Sequence, residues 1–457
     1  MLFGLFSPKS PLAIHEKTWT EVRMRWLAGQ FGLDRLLRAE VVLPDEQWFP
    51  ESYEGTPEDA RRFLDRIARF MQINPSSVQL EIHEDEEMPG VAGQYQPGLI
   101  RLAAGLLDDP PALVAVLAHE LAHDLLSGRG TLKDDLDAEW VTDLLPAYLG
   151  LGVFTANATL REKTERYGRS RWWSIQRHGY LNSCTIGYAL ALFAWVREER
   201  NPEWARFLRL DAAESFATGL RFLEATEDSV FTPETASSAD RPTPWHTLLE
   251  QIDGRSASAC VAALWGLARH PRDGRRDLGQ AVPLVQRRLS DRSAAIRAEA
   301  ARALATLGPA AEPVLDDLVQ LLDDADPDVQ IAAVYALGRL AMQPDTVLPH
   351  LVEALDDREL IRPAAVAIAA YGPAARAVVP RLASALLQAL AETEYPNVDA
   401  LAQAIEATAP DPAAVLRRVL EDCDAESRPP AEQILAQRHP VPTGAHAPGA
   451  WFGERRE

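Results

Sequence analysis

Hydrophobic and polar positions in the first half of the chain change their period several times, which predicts a mixture of helices and strands. Residues 57–73 place Phe63, Ile67 and Phe70 at helical spacing, so one helix is predicted there. Short runs rich in Val, Ile and Leu, with partial alternation, are typical of strands. They predict strands at EVVLP (40–44), SVQLEIH (77–83) and GLIRLA (98–103).

A second helix is predicted over residues 108–128, which read DDPPALVAVLAHELAHDLLSG. Asp108 or Asp109 can cap its start, proline suits its first turn, and Gly128 suits its end. The order of elements in this half is helix, strand, strand, helix. That order predicts an α+β domain.

The second half of the chain repeats one hydrophobic pattern. Leu289, Leu322 and Leu355 follow one another at intervals of 33 residues, and each precedes a turn that contains Asp. Apart from one two-residue deletion, the same interval separates Leu304, Leu337 and Ile368. Each unit has two helical stretches divided by a Gly or Pro turn, which predicts an all-α helical-repeat solenoid.

These units resemble short HEAT repeats of the form D-x-x-x-x-V-R-x-x-A-A-x-A-L-G. The resemblance covers residues 255–437, with a degenerate first unit at 256–270 and late units at 413–422 and 431–439. It implies a curved surface that binds a protein partner. In the first clear unit the match is carried by Asp291, Ile296, Arg297, Ala300, Ala301, Ala303, Leu304 and Gly308.

The predicted helix of residues 108–128 carries a candidate metal site. His119 and His123 are four residues apart, so they lie on one face of the helix and can bind one metal ion. Glu120 projects beside them, where a general base for water would lie. The alternative is two packed or exposed histidines on an ordinary helix. The apolar flanks disfavour it, because a Glu buried among them needs a partner.

Zinc bound by two histidines usually takes a third protein ligand and keeps one position for water. Glu139 and Asp143 are four apart on a predicted helix within residues 131–152. The other candidates are Asp134, Asp135 and Asp137, which otherwise form an acidic, solvated loop or cap the Glu139 helix.

With both motifs in view, residues 57–150 resemble the gluzincin metallopeptidases. The pattern of that family is HExxH, a loop, and a helix with E-x-x-x-D or E-x-x-x-A, here at residues 119–123 and 139–143. The resemblance implies that His119, His123 and Glu139 bind Zn²⁺ and that Glu120 is the general base. It also implies that Asp143 orients a ligand imidazole, since a zinc-bound His commonly donates its other N–H to a carboxylate. The alternative for Asp143 is a solvated helix charge.

The resemblance further implies a zincin-like fold in which an edge strand beside the metal helix holds the substrate backbone, and GLIRLA is predicted to be that strand. The chain departs from the family in its short gap between the two motifs. It also lacks an obvious histidine or tyrosine, at a position the family defines, to stabilise an oxyanion. His178 and Tyr180, in RWWSIQRHGY (171–180), are candidates, although Trp172 and Trp173 favour a packing role for this stretch.

Composition narrows the function classes. A chain of 457 residues, 47% hydrophobic and 25% charged, is typical of two or three globular domains. Its net charge of −21 argues against a nucleic-acid partner, because phosphate binding needs clustered Lys and Arg. The three cysteines are scattered, so neither a disulfide framework nor a Cys-based zinc site is predicted.

The chain is expected to be a soluble, cytoplasmic protein with no membrane partner. Its first residues lack a basic start and are interrupted by proline, which is not typical of a secretory signal. The longest apolar run, residues 186–196, is too short to span a bilayer.

Together these patterns predict an α+β zincin-like N-terminal domain followed by an all-α HEAT-like solenoid. The predicted segments are an extension packing on the metal domain (1–56), the metal domain (57–225), a linker (226–254), the repeats (255–437) and a flexible tail (438–457).

Two functions follow. The first is a zinc-dependent hydrolase, in particular a peptidase, whose repeats recruit a peptide or protein substrate or a protein partner. The alternative is a non-catalytic interaction protein in which the repeats carry the function and the metal site is structural or vestigial. The presence of Glu120 beside the histidines favours the hydrolase, because a structural site needs no base. The missing oxyanion residue favours the alternative.

Overall fold

The computed structural model describes ten stretches of the chain, and its contacts divide the chain into two compact units, Met1–Pro242 and Thr243–Glu457. The described residues are 8–49, 52–87, 92–127, 137–158, 161–167, 170–176, 181–237, 243–269, 278–391 and 395–423.

The first unit combines helices with a small sheet and a separate hairpin. In chain order its helices are α1 (Ile14–Phe31), α2 (Leu33–Leu37), α3 (Pro57–Phe70), α4 (Pro110–Ser127), α5 (Ala138–Leu149), α6 (Gly152–Ala158), α7 (Ser183–Val196), α8 (Leu210–Thr226) and α9 (Pro233–Ser237). Its strands are β1 (Gln79–His83), β2 (Gly93–Gln96), β3 (Leu99–Ala103), β4 (Arg161–Tyr167) and β5 (Ser170–Gln176).

The helices predicted at residues 57–73 and 108–128 are present as α3 and α4, with local reasons for their bounds. Thr56 and Asp59 form a capping box at the start of α3. The helix ends at Phe70, three residues before its predicted end, and Gln72 beyond it has a left-handed φ of 64°. At the start of α4, Asp109 accepts a hydrogen bond from the Ala112 N–H at 3.2 Å, so Asp109 is the cap. The predicted end at Gly128 lies outside the described residues.

α4 is the central helix of this unit. It packs against α3, α5, α6 and β2, and its apolar side chains are buried around most of its circumference. The turns of α4 before and after the two histidines are therefore held in place by tertiary contacts. For that reason the backbone of α4 presents both histidine side chains from a rigid support.

The three-stranded sheet has the order β1-β3-β2, which corrects the prediction for GLIRLA. β3, within that segment, is the central strand: it pairs in parallel with β1 (Gln79↔Leu99) and antiparallel with β2 (Gly93↔Leu102). The edge strand next to α4 is β2. The sequence GQYQ of β2 was missed because it contains Gly and lacks the apolar alternation that predicts a strand.

The strand predicted at EVVLP (40–44) is wrong, because none of these residues is in a strand. Val42 is buried, and its N–H donates to the carbonyl of Gly150 at the end of α5, at 2.9 Å. Of the apolar residues of this segment only Val42 is buried in the core, and its amide satisfies a helix end instead of a neighbouring strand.

The second unit is a helical array. Its helices are α10 (Trp245–Asp253), α11 (Ala257–Arg269), α12 (Leu278–Arg288), α13 (Ala294–Leu307), α14 (Leu315–Gln320), α15 (Pro327–Leu340), α16 (Pro344–Glu353), α17 (Ile361–Ala370), α18 (Val379–Ala391), α19 (Tyr395–Thr408) and α20 (Pro412–Asp422). Successive helices of the series α11, α13, α15, α17 and α19 pack side by side.

The repeated hydrophobic positions form the interior of this array, and the predicted solenoid of helices is confirmed. Leu304, Leu337 and Ile368 are all fully buried. Helices α15 and α17 approach closely: a Cβ at Gly338 would lie 2.6 Å from the Cα of Ala367. Small residues at these positions therefore allow the close stacking that a solenoid needs.

The segment predicted as a linker, residues 226–254, contains two helices, α9 and α10. Leu248 and Ile252 of α10 are four residues apart and buried, and the side chain of Arg288 donates to the carbonyls of Ile252 and Gly254 at 2.7 Å each. α10 therefore belongs to the second unit, whose first residue is Thr243. Among the helices that the structure describes, none has both the length and the apolarity needed to cross a membrane.

Candidate metal centre

Three potential metal ligands of the first unit converge in space. The ligand atoms of His119, His123 and Glu139 all lie within 4.8 Å of one another. Glu139 Oε2 is 3.5 Å from His119 Nε2 and 3.3 Å from His123 Nε2, so one carboxylate oxygen faces both imidazoles. The two rings meet edge to face, with centroids 4.9 Å apart.

The convergence follows from two helices. The histidines lie one turn apart on α4, and Glu139 is the second residue of α5, which packs against α4. All three side chains are partly exposed, and Glu139 is the most exposed of them. The cluster therefore lies at the rim of the core, where solvent and dissolved ions can reach it.

Asp143, one turn beyond Glu139 on α5, holds one of the imidazoles. Its Oδ1 is 2.7 Å from His119 Nδ1, and its Oδ2 accepts the Leu181 N–H at 2.9 Å. The carboxylate can only accept, so Nδ1 of His119 carries a proton and Nε2 is the atom that faces Glu139. Because Asp143 is only 3% exposed, it is not the solvated helix charge of the alternative interpretation.

The carboxylates of the cluster favour positive charge on the imidazoles. Burial lowers the pKa of His119, but its hydrogen bonds to Asp143 and Glu139 outweigh burial and raise that pKa to about 10. Hydrogen bonds from His119 and His123 lower the pKa of Glu139 to about 2. Without an ion, the carboxylates therefore hold a proton on the imidazole, and a bound cation would take the place of that proton.

The donor set fits zinc. Two imidazole nitrogens and one carboxylate oxygen are ligand types of catalytic zinc sites, which keep a fourth position for water. The hydrogen bond from His119 to Asp143 is also of the kind that a zinc-bound His usually makes.

Glu120 lies beside the cluster but outside the ligand set. Its side chain is 4% exposed, and burial raises its pKa. A Cβ at Gly93 of β2 would lie 2.6 Å from Glu120 Oε1, so the edge strand approaches this carboxylate as closely as only glycine permits. The positions of Glu120 and of the edge strand therefore depend on each other.

Tyr95 is a site residue that sequence reasoning missed. Its ring stacks on that of His123, with centroids 5.8 Å apart and 13° between the planes, and its hydroxyl donates to Asp124 at 2.9 Å. Gly93 and Tyr95 are two residues apart on β2, so both face α4. The alternation of Gly93 and Tyr95, just before GLIRLA in the sequence, was the available signal for a strand. It was missed because the other residues of β2 are polar and show no apolar alternation.

Of the other predicted candidates, Asp137 is corrected. It lies at the start of α5 but makes no side-chain capping bond, and it is buried against Arg23 and Trp19 of α1. Its carboxylate is therefore bonded to Arg23 and Trp19 and is neither a solvated group nor a side-chain cap of α5. The remaining candidates lie outside the residues or side chains that the structure describes: Asp134, Asp135, His178, Tyr180, Trp172 and Trp173.

Comparison with known proteins identifies part of the second unit only. Residues 281–371 match the family model of HEAT repeats, which confirms the HEAT-like repeats there. Repeats of this type commonly mediate protein–protein interaction. No match to the chain was found among curated proteins. Zinc, hydrolase activity and the zincin-like fold have no support from these comparisons and stay predictions.

Proposed function

We propose that this protein is a zinc-dependent hydrolase of peptides, with a gluzincin-like, zincin-fold first unit and HEAT-like repeats that recruit the substrate or a protein partner. The observation that carries the proposal is the convergence of His119, His123 and Glu139 beside a buried Glu120. A structural zinc site needs no such additional carboxylate beside its ligands.

His119, His123 and Glu139 would hold the ion. When bound, zinc supplies Lewis acidity, which polarises a carbonyl and makes water a nucleophile near neutral pH. Glu120 accepts the proton of the attacking water and delivers it to the leaving amine, as a general base and then a general acid. Asp143 keeps the His119 ring in the orientation and tautomer that ligation needs.

The edge strand supports a peptide substrate. Ala92 accepts a hydrogen bond from the Ala103 N–H at 3.0 Å, so by antiparallel alternation the backbone groups of Gly93 and Tyr95 point away from β3. An extended peptide can pair with these groups as an added strand. It would then pass next to Glu120, which Gly93 approaches closely. β2 thus takes the role that was expected of GLIRLA.

A non-catalytic interaction protein is the second candidate, and the HEAT match at residues 281–371 favours it. In that case the repeats carry the function and the metal site only stabilises the first unit. The two candidates differ in Glu120: a scaffold tolerates its replacement, whereas a hydrolase does not.

The test begins with the metal. The purified full chain, reconstituted with zinc, should hold about one zinc per chain. Glu139→Ala should lose that zinc, because two imidazoles alone bind weakly. His83→Gln is the matched control, since His83 is a surface histidine that also lies beside carboxylates, Glu81 at 3.4 Å and Glu87 at 3.0 Å, but outside the cluster. It should leave zinc binding unchanged.

Activity is then measured on a mixture of unstructured peptides, with cleavage detected by mass spectrometry. Glu120→Gln should keep zinc and lose cleavage, because it keeps the shape of the side chain and removes the base. Unchanged cleavage in Glu120→Gln would defeat the mechanism. Zinc binding without cleavage by the wild-type chain would favour the interaction protein, and no zinc at all would end the hydrolase proposal.

A further inference from the structure

A buried polar cluster joins α1 to the start of the helix that carries Glu139. Asp137 accepts the Trp19 Nε1–H and the Arg23 Nε–H, both at 2.7 Å on Oδ2, while Arg23 Nη2 is 2.5 Å from Oδ1. Asp137 and Arg23 are each 5% exposed. This is a bidentate ion pair out of water, the geometry in which an Arg–carboxylate pair fixes position most strongly.

Asp137 has an unusual role for a residue at its position. An Asp at the start of a helix ordinarily accepts an N–H of the first turn, but the Asp137 side chain makes no such bond. Its carbonyl instead accepts the Val141 N–H at 3.0 Å, the first bond of α5. One residue is therefore bonded to α5 through its backbone and to α1 through its side chain, two positions before Glu139.

A second contact reinforces the same point. Trp140, the residue after Glu139, receives the ring of Trp19 edge to face at a centroid distance of 5.6 Å. Residues on both sides of Glu139 in sequence, Asp137 and Trp140, therefore contact α1.

α1 is itself anchored elsewhere, so it can act as a support. Glu21, fully buried one turn from Lys17, pairs with it at 2.9 Å, accepts the hydroxyl of Tyr188 on α7 at 2.7 Å and accepts the Val230 N–H at 3.0 Å. These bonds attach α1 to the body of the unit without touching α5. They provide a matched control on the same helix.

We propose that Arg23 and Trp19, acting through Asp137, are positioning residues for Glu139 and so set the zinc affinity of the site; this inference rests on the proposed function. The predicted N-terminal extension, residues 1–56, then contributes to the zinc affinity of the metal centre through α1. Glu139 is the ligand that most needs such support, because it is the most exposed of the three and lies in the first turn of its helix, where helices fray.

The test measures zinc affinity of the full chain by competition with a chromophoric chelator. Trp19→Phe keeps the aromatic packing and removes one donor, and Arg23→Met removes the guanidinium. Both should weaken zinc binding, Arg23→Met by about 10–100-fold, as when a group that orients a ligand is lost. Tyr188→Phe removes a hydroxyl from the other anchor of α1 and should leave zinc affinity unchanged.

A coupling measurement separates positioning from general destabilisation. Glu139→Ala keeps only the weak zinc binding of the two imidazoles, which is measured with a weaker chelator. In that background Trp19→Phe should no longer change the residual zinc affinity, because its effect passes through Glu139. An additive loss in the double variant would overturn the inference, and so would unchanged affinity in Trp19→Phe when the wild-type chain binds zinc. If Arg23→Met does not fold, Trp19→Phe still decides. Failure of the wild-type chain to bind zinc would instead overturn the proposed function, and this inference with it.

Discussion

Asp143→Asn tests the geometry of the metal centre with the smallest change in shape. Asp143 accepts two hydrogen bonds, one from His119 Nδ1 at 2.7 Å and one from the Leu181 N–H at 2.9 Å. The two donors lie on different oxygens of the carboxylate, and Asn replaces one of these oxygens with an NH₂ group, so it cannot accept both bonds in this geometry. If its oxygen stays on Leu181, its NH₂ faces Nδ1, and His119 must move its proton to Nε2, the atom that would bind zinc.

The size of the effect follows from these bonds. A zinc ligand that loses its carboxylate partner typically loses about 10–100-fold in affinity. That equals about 1.4–2.8 kcal/mol at 1.4 kcal/mol per tenfold. If the oxygen moves to Nδ1 instead, the buried Leu181 N–H is left unpaired, which costs about 1–3 kcal/mol of stability. Either arrangement costs free energy. If the oxygen stays on Leu181 the loss falls on zinc affinity alone, whereas if it moves to His119 the loss falls on the stability of the fold.

The assay is chelator competition for zinc, with thermal unfolding of the zinc-free protein alongside. Asp124→Asn is the matched control: Asp124 follows His123 directly and accepts the Tyr95 hydroxyl at 2.9 Å, a bond that an Asn oxygen accepts equally well. Its zinc affinity should equal that of the wild type. Equal zinc affinity and equal stability in Asp143→Asn would refute the role of Asp143 and the tautomer assigned to His119.

Three further predictions concern other parts of the chain. Gly93→Ala places a methyl 2.6 Å from Glu120 Oε1 and from Val116 Cγ1, so it should cost about 1–3 kcal/mol of stability by overpacking. Cleavage should fall while zinc is retained, and unchanged cleavage would show that β2 does not act on the site. The hydrogen bonds of Arg297 lower the pKa of Asp324 from its ordinary 3.8, so this pair stabilises the repeats above that pH and the stabilisation is lost as the pH falls below it. Acid unfolding followed by circular dichroism should show a smaller pH dependence in Asp324→Asn, and an unchanged profile would remove the pair as a cause. A fragment that begins at Thr243 should unfold cooperatively and at a higher temperature than one that begins at Ser256, because α10 buries Leu248 and Ile252 in the repeats; equal melting temperatures would contradict that placement.

The local spacing of apolar residues was enough to predict those elements whose buried side chains repeat at a single period. The helix with His119, Glu120 and His123 could be predicted because its apolar stripe, its Asp109 cap and its prolines all lie within one stretch of sequence. The helical repeats could be predicted because each unit buries the same positions, such as Leu304 and Leu337. In both cases the determining interactions are between residues close in the chain or between equivalent positions of successive repeats.

Tertiary structure decided the partners of the polar groups and the order of the strands. Nothing near Asp137 in sequence indicates that its carboxylate belongs to Arg23, 114 residues away, and nothing near Asp143 indicates that it accepts from Leu181. The strand β2 forms because β3 offers it an edge, although its own residues are polar. EVVLP forms no strand, and the Val42 N–H donates instead to the carbonyl of Gly150 at the end of α5. A buried polar group must find a partner wherever the fold brings one, so a short stretch of sequence predicts that a partner exists but not which residue it is.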